Sequence, residues 1–344
     1  HAVQGAVSMH RALVGLAFMA LTVATAFYAF SPRHTPPLEA TRVPVDRMQI
    51  MSLTRAGNAL VAGGELGFLL RSTDEGKTWE TAKVEPQRRA PITTIHFLDD
   101  THGMAVGHEG QILRTSDGGK TWQELHFDEE HGAPLMDIRR LPSGAWLAVG
   151  AFSRALRSTD DGQTWEQIPI PGTEEEEPHL NSMVPGADPE HWLLVGERGL
   201  VMRSSDGGQT FERIPPFYNG SFYGGLALDA QTWLIYGMRG HVYRSTDGGT
   251  TWTESTLQAP VSSYGHALLP DGRLLIVGQG GVIQASKDGG ASFQVVRAGG
   301  LASLTDIVPL ADGRWLLASD QGMRTFDPSA PADAAATATQ ESSP

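Results

Sequence analysis

The sequence has no cysteine in its 344 residues, which excludes disulfide bonds and thiol chemistry but does not decide the compartment. It is also poor in basic residues, with 26 Lys and Arg against 39 Asp and Glu and a formal net charge of −13. Nucleic acid is therefore not expected as a partner, because neutralising phosphates requires a basic surface. The sequence contains no G-x-S-x-G or H-E-x-x-H motif and no phosphate-binding glycine loop, and its 12 His residues have no metal-ligand spacing. We expect neither a cofactor nor a metal.

The sequence repeats one nine-residue motif along most of its length. It reads RSTDEGKTW at 71–79, RTSDGGKTW at 114–122, RSTDDGQTW at 157–165, RSSDGGQTF at 203–211, RSTDGGTTW at 244–252 and ASKDGGASF at 285–293, with a vestige, RTFDPS, at 324–329. The Asp positions are separated by 43, 43, 46, 41, 41 and 39 residues. A period of this size indicates a propeller or a solenoid.

Each copy of the motif is predicted to form a turn between two strands. The Asp accepts hydrogen bonds within its own turn, the Gly supplies a positive φ, and the aromatic residue begins the next strand. The pattern S-x-D-x-G-x-T-W resembles the Asp-box of BNR-repeat proteins. We expect a structural role, because turns one period apart lie too far apart to share a metal ion. The residues concerned are Asp74, Trp79, Asp117, Trp122, Asp160, Trp165, Asp206, Phe211, Asp247, Trp252, Asp288 and Phe293.

Four short strands can be traced in each unit, bounded by Gly, Pro, Asn or Asp, and seven units can be counted. The sequence therefore predicts an all-β fold, a seven-bladed β-propeller over residues 38–328, followed by a disordered low-complexity tail at 329–344. The seventh unit lacks an outer strand. We expect residues 38–45 to pair with that blade and close the ring.

The N-terminal part predicts export. Arg11 precedes an apolar run at 12–30 that contains an Ala24-x-Ala26 site, which fits a signal peptide or an uncleaved membrane anchor followed by a linker, over residues 1–37. We favour the anchor, which would make the protein periplasmic and tethered to the inner membrane through residues 12–30. We expect the propeller to be a monomer.

A binding surface is predicted on the face that carries the turns from second to third strands. Exposed aromatic and cationic side chains there would suit a protein segment or an acidic ligand. In the alternative interpretation the aromatic residues belong to the core and the arginines balance nearby glutamates. The acidic stretches at 128–131 and 173–179 are predicted to be solvated loops, with a weak Ca²⁺ site as the alternative. The candidate residues are Arg154, Arg198, Arg239, Arg88, Arg89, Phe217, Tyr218, Phe222 and Tyr223.

The V-G-x-x-G turn followed by an apolar strand and R-S-x-D-G-G-x-T-W, in seven units, resembles the photosystem II stability/assembly factor family and its relatives in non-photosynthetic bacteria. The resemblance covers residues 38 to 328. It implies a non-enzymatic scaffold that holds a membrane protein or envelope complex, a transporter among the alternatives, on an Arg-rich surface. The competing hypothesis is a sialidase-like glycoside hydrolase, since Asp-box propellers include sialidases; no arrangement of Arg, Tyr and acid residues in the sequence assigns the roles that such a site needs.

Overall fold

The computed structural model describes residues 2–30, 44–130 and 132–330. The chain divides into two units, His1–Arg42 and Val43–Pro344. The first contains one α-helix, Ala2–Phe30. Among the described residues, no helix combines the length and the apolar character needed to cross a membrane.

The second unit contains seven sheets in chain order, each built on antiparallel strands, which confirms the predicted seven-bladed β-propeller. We number the blades 1 to 7 along the chain. Their innermost strands are Ile50–Ala56, Ile92–Phe97, Leu135–Arg140, Leu180–Pro185, Phe222–Ala227, Ser263–Leu268 and Leu304–Pro309. Their second strands are Ala59–Gly64, Gly103–Gly107, Trp146–Gly150, Trp192–Gly196, Trp233–Gly237, Leu274–Gly278 and Trp315–Ser319. Their third strands are Leu69–Ser72, Ile112–Thr115, Ala155–Ser158, Val201–Ser204, Val242–Ser245, Ile283–Ser286 and Gly322–Phe326.

Fourth strands are described for blades 1 to 6, and they differ in length. Those of blades 2 and 6 have six residues, whereas the other four have two. Both long strands are covered on their outer side by a further, parallel strand. The fourth strands are Glu80–Thr81, Thr121–His126, Glu166–Gln167, Glu212–Arg213, Thr253–Glu254 and Ser292–Arg297, and the covering strands are Lys83–Glu85 and Thr256–Leu257.

The second strands form the buried layer of the fold. Every residue of these seven strands is buried, because each lies in the middle of a blade between two neighbouring sheets. In blades 1 to 6 this strand ends on a glycine that nearly touches the beginning of the inner strand. A Cβ at Gly196, for example, would lie 2.2 Å from the carbonyl oxygen of His179. The close approach lets the next N–H, that of Glu197, donate to the same oxygen at 3.0 Å, which fixes the following turn beside the mouth of the central channel.

Polar side chains on the inner strands connect neighbouring blades. The backbone N–H of a residue in the next blade donates to Ser52 Oγ (3.1 Å, from blade 2), to Asp137 Oδ2 (2.8 Å, from blade 4) and to Asp306 Oδ2 (2.9 Å, from blade 1). The Asp306 bond, from the N–H of Leu53, joins the last blade to the first. Since a buried acceptor without a donor is costly, these bonds fix the order and spacing of the blades.

On the opposite edge, four of the arginines that open the repeated motif connect neighbouring blades. Arg71 and Arg244 donate to the carbonyl oxygens of Gly118 and Gly289 in the next blade, at 2.9 and 2.8 Å. Arg114 and Arg203 likewise reach the following turn. Arg157 of blade 3 is different: it bonds Glu166 of its own blade at 2.7 Å, and a cavity of about 420 Å³ lies between blades 3 and 4 beside it.

Blade 7 has three strands in the described part of the chain. The N–H of Met323, in its outermost described strand, donates to the carbonyl oxygen of Val45 at 2.9 Å, and the Val45 side chain packs against the cluster that contains Leu316. Residues 38–43 of the predicted closing segment lie outside the described residues. The described end of that segment thus contacts the last blade.

Candidate functional site: the turn face

The turns between second and third strands share one face of the propeller with the connections between blades, which we call the turn face. The middle residue of each turn in blades 1 to 6 has a left-handed backbone, with φ between 54° and 68°. This conformation directs the side chain of that residue outward, and we call these residues the turn tips. They are Leu66, Glu109, Phe152, Arg198, Arg239 and Gly280.

Arg198 and Arg239 are the cationic turn tips and lie on adjacent blades, 4 and 5. Both are exposed. Within the described residues, neither guanidinium group takes part in an ion pair or a hydrogen bond. Two neighbouring cations without partners on a rim of loops can hold carboxylates of a bound segment, since a rim charge steers and orients a charged partner.

Arg154 corrects the sequence-based grouping of three arginines. It lies two residues after the turn tip of its blade and is only 8% exposed. Its Nη2 donates to Asp128 Oδ2 at 2.6 Å, which ties down the connection between blades 2 and 3. The position equivalent to Arg198 and Arg239 is occupied by Phe152.

Arg88 and Arg89 lie on the connection between blades 1 and 2. Arg88 forms ion pairs with Glu124 at 3.0 Å and Glu129 at 3.1 Å and stacks over the ring of Phe127. Arg89 is exposed, with φ of +62°. Arg89 forms no ion pair among the described residues, so it is the one of these two arginines that presents its charge to solvent.

The aromatic loop at 215–225 does not present the exposed surface that we expected. Phe222 is fully buried, and Phe217 stacks on Trp252 with ring centroids 5.8 Å apart. Tyr218 is half-buried against His241 at 4.5 Å and donates from its hydroxyl to the carbonyl of Met238. These three residues pack on the core of blades 4 and 5, because the connection folds back over it. The alternative interpretation, that they serve packing, describes them correctly.

Tyr223 is half-buried. It occupies a bulge in the inner strand of blade 5, and Tyr264 occupies the same bulge in blade 6. The two rings lie 5.4 Å apart. Burial raises the pKa of Tyr223, while the positive charge of Arg239 acts in the opposite direction. Sequence reasoning missed Tyr264, although the Tyr-Gly pair recurs at the same place in both units and could have identified it.

The Asp-boxes lie on the opposite face and use their polar atoms internally. In each of six boxes the Asp accepts the N–H of the residue four positions later at 2.9–3.0 Å, and the hydroxyl of that residue at 2.5–2.7 Å. The Thr78 hydroxyl and N–H lower the pKa of Asp74 to about 2. In four boxes the Trp indole donates to a glycine carbonyl of the turn. These carboxylates are therefore committed to their own turns.

The acidic loops are partly neutralised by arginines. Asp128 and Glu129 contact Arg154 and Arg88, and Glu176 pairs with Arg213 at 3.0 Å. His131 lies outside the described residues. In the described ranges, no group of three or more His, Asp and Glu side chains is arranged to hold a metal ion.

Comparison with known proteins agrees with this architecture. The family model described as photosynthesis system II assembly factor YCF48 matches residues 35–115, 88–173 and 135–263. Among solved structures, YCF48 bound to D1 peptide is 19% identical, with a TM-score of 0.64 over 86% of this chain and 96% of that one. YCF48 from Cyanidioschyzon merolae is 16% identical, with a TM-score of 0.63 over 83% and 97%. A streptogramin B lyase is 13% identical, with a TM-score of 0.68 over 83% and 95%.

No curated protein matches the chain. The solved structures are too distant in sequence to show more than the shared fold. The family match is different in kind, because its three segments together span residues 35–263, more than half of the sequence. The chain therefore belongs to the photosynthesis system II assembly factor YCF48 family.

Proposed function

We propose that this chain is a non-enzymatic propeller that binds an acidic, extended segment of a membrane protein on its turn face and holds it during assembly of an envelope complex. The observation that carries the proposal is the pair of exposed arginines, Arg198 and Arg239, on adjacent turn tips, whose guanidinium groups have no ion pair among the described residues. The charge of Arg239 also acts on Tyr223, whose ring lies beside that of Tyr264. Family membership supports the proposal, as does the solved structure of a similar propeller, YCF48, with a bound D1 peptide.

The chemistry of the turn face fits a peptide carboxylate. A guanidinium binds a carboxylate through two parallel N–H···O bonds, and tyrosine rings offer apolar area with little loss of conformational entropy. The chain as a whole is acidic, so an exposed cationic pair on adjacent blades is a local exception that attracts acid groups and orients them.

Export is the second part of the proposal and depends on the sequence alone. The apolar run that follows Arg11 is the feature of a segment that directs a protein out of the cytoplasm. An exported propeller would meet the loops and tails of membrane proteins on the periplasmic side. Fractionation of cells that express the full chain tests this part: recovery in the cytosolic fraction alone would contradict it.

The binding surface is tested with a double charge reversal, Arg198→Glu with Arg239→Glu. The matched control is Lys77→Glu with Lys120→Glu, which makes the same change in net charge on exposed residues of the Asp-box face. Tagged full-length proteins are used to recover partners from solubilised membranes, with quantitative mass spectrometry. We expect the same membrane protein to be recovered in stoichiometric amount by the wild type and the control, and at least about tenfold less by the arginine variant. Equal recovery by all three proteins would show that this surface does not bind the partner.

A further inference from the structure

Phe152, the turn tip of blade 3, is a large apolar side chain in an unusual position. It is 63% exposed and has a φ of +55°. The next residue, Ser153, also has a left-handed backbone, with φ of +54°. The corresponding position is a glycine in five other blades: Gly67, Gly110, Gly199, Gly240 and Gly281. Blade 3 thus has two strained non-glycine residues in succession, and such strain is found mainly where function maintains it.

The turn is nevertheless held firmly. Both the N–H and the hydroxyl of Ser153 donate to the carbonyl oxygen of Pro178, at 2.9 and 3.1 Å. The ring of Phe152 lies edge-on to His179, with centroids 4.9 Å apart. The phenyl group is therefore presented to solvent in one orientation, so little conformational entropy remains to be lost when a partner covers it.

This apolar tip is continuous with the cationic surface. His179 Nδ1 lies 3.6 Å from Glu197 Oε1, and Glu197 immediately precedes Arg198, the tip of blade 4. Arg239 follows on blade 5. On the other side of Phe152, the tip of blade 2 is the exposed acid Glu109. Going around the turn face from blade 2 to blade 5, the tips are therefore acidic, aromatic, cationic and cationic.

From this order we infer that Phe152 is a specificity-determining contact for a polypeptide segment that carries one large aliphatic or aromatic side chain beside its acidic residues. The inference depends on the proposed function and names the partner chemistry of the same surface. The apolar side chain covers Phe152, and the acids extend toward Arg198 and Arg239. Glu109 repels acids on the far side, so the segment lies in one direction only.

The experiment uses the purified full-length protein and a library of short synthetic peptides with a fixed Asp-Asp pair and randomised flanking positions. We expect the wild type to enrich Leu, Ile, Met or Phe at one flanking position. The best peptide is then measured against Phe152→Ala, against Phe152→Leu and against Leu66→Ala. Leu66 is the matched control, because it is the tip of blade 1, is 51% exposed and has the same φ of +55°.

We expect Phe152→Ala to weaken binding about tenfold, because covering a large apolar side chain contributes an effect of that size. Phe152→Leu should restore most of the affinity, and Leu66→Ala should bind as the wild type does. In Phe152→Ala, replacing the apolar peptide residue by Ala should cost nothing further. Unchanged affinity of Phe152→Ala, or an equal loss in Leu66→Ala, would overturn the inference while leaving peptide binding intact. If the wild type retains no peptide, or if the double variant Arg198→Glu with Arg239→Glu retains the same ones, the proposed function itself fails.

Discussion

Asp306 provides the sharpest test of how the ring is closed. Its carboxylate is partly buried, and it accepts the N–H groups of Leu53 in blade 1 and of Ile307, each at 2.9 Å. Burial raises the pKa of Asp306 to about 7, against the opposing effect of these two hydrogen bonds. No ion pair joins Asp306 among the described residues. Asp137 is in the equivalent position of blade 3 but has Arg139 at 3.4 Å.

The sign of the pH dependence follows from the direction of this shift. An unfolded Asp has a pKa of about 3.9, so between roughly pH 4 and pH 7 the folded state keeps a proton that the unfolded state has lost. The free energy of unfolding therefore falls as the pH rises through this range and levels off above the folded pKa. With these two pKa values, ionisation of Asp306 lowers the free energy of unfolding by about 3 kcal/mol between pH 4.5 and pH 8.

The perturbation is Asp306→Asn, which cannot ionise. Urea unfolding followed by tryptophan fluorescence, at several pH values between 4.5 and 8, gives the free energy of unfolding for both proteins. The carboxamide accepts only one of the two N–H groups, so we expect the variant to be about 1–3 kcal/mol less stable at pH 4.5. We expect that deficit to vanish or reverse by pH 8. Asp137→Asn serves as the control and should leave the contribution of Asp306 in place. Parallel pH profiles of the wild type and Asp306→Asn would refute the assignment.

Two further predictions concern a junction between neighbouring blades and a close backbone contact within one blade. Arg244→Ala removes the 2.8 Å bond to the carbonyl of Gly289 in the next blade, and it should lower the free energy of unfolding by about 1 kcal/mol. Arg157→Ala breaks only the exposed pair with Glu166 and should cost less than about 0.5 kcal/mol; equal costs in urea unfolding would contradict the role given to Arg244. Gly196→Ala places a Cβ 2.2 Å from the carbonyl oxygen of His179 and should lower the free energy of unfolding by about 2–3 kcal/mol. An unchanged melting temperature would show that the turn can shift without loss of stability.

The repeat made the fold predictable. The count of units predicted the number of blades, and an apolar run in each unit predicted its second strand, because burial between two sheets demands apolar side chains throughout. Both are properties of local sequence that recur in each unit. Residues at positions that vary from unit to unit were predicted less well, as Arg154 and Phe222 show.

The site could be predicted only where its residues occupy the same position of the turn in neighbouring blades. Arg198 and Arg239 stand in Gly-x-Arg-Gly turns and lie between second and third strands, as predicted. Arg154 was predicted to lie on the binding surface with them, but its side chain is buried and donates to Asp128, a contact with a residue of the preceding inter-blade connection that the local sequence does not reveal. Phe217 could not be assigned from sequence, since an inter-blade connection can fold over the core or project from it, and the choice depends on cavities between side chains that are distant in sequence. Phe222 was assigned to the same connection, whereas it begins the inner strand of blade 5 and is buried. The bond between Asp306 and Leu53 spans 253 residues and leaves no local signal.

The lengths of the outer strands affect the tendency of the protein to aggregate. An uncovered strand edge offers free N–H and C=O groups to another molecule, and a long one is a nucleus for aggregation. In blades 1 to 6 of this propeller, the fourth strands without a covering strand are two residues long, and the two of six residues are those covered by Lys83–Glu85 and Thr256–Leu257. A variant in which a proline substitution prevents the strand Thr256–Leu257 from pairing would expose the edge of the strand Ser292–Arg297. This variant should self-associate as its concentration rises, even while each blade stays folded.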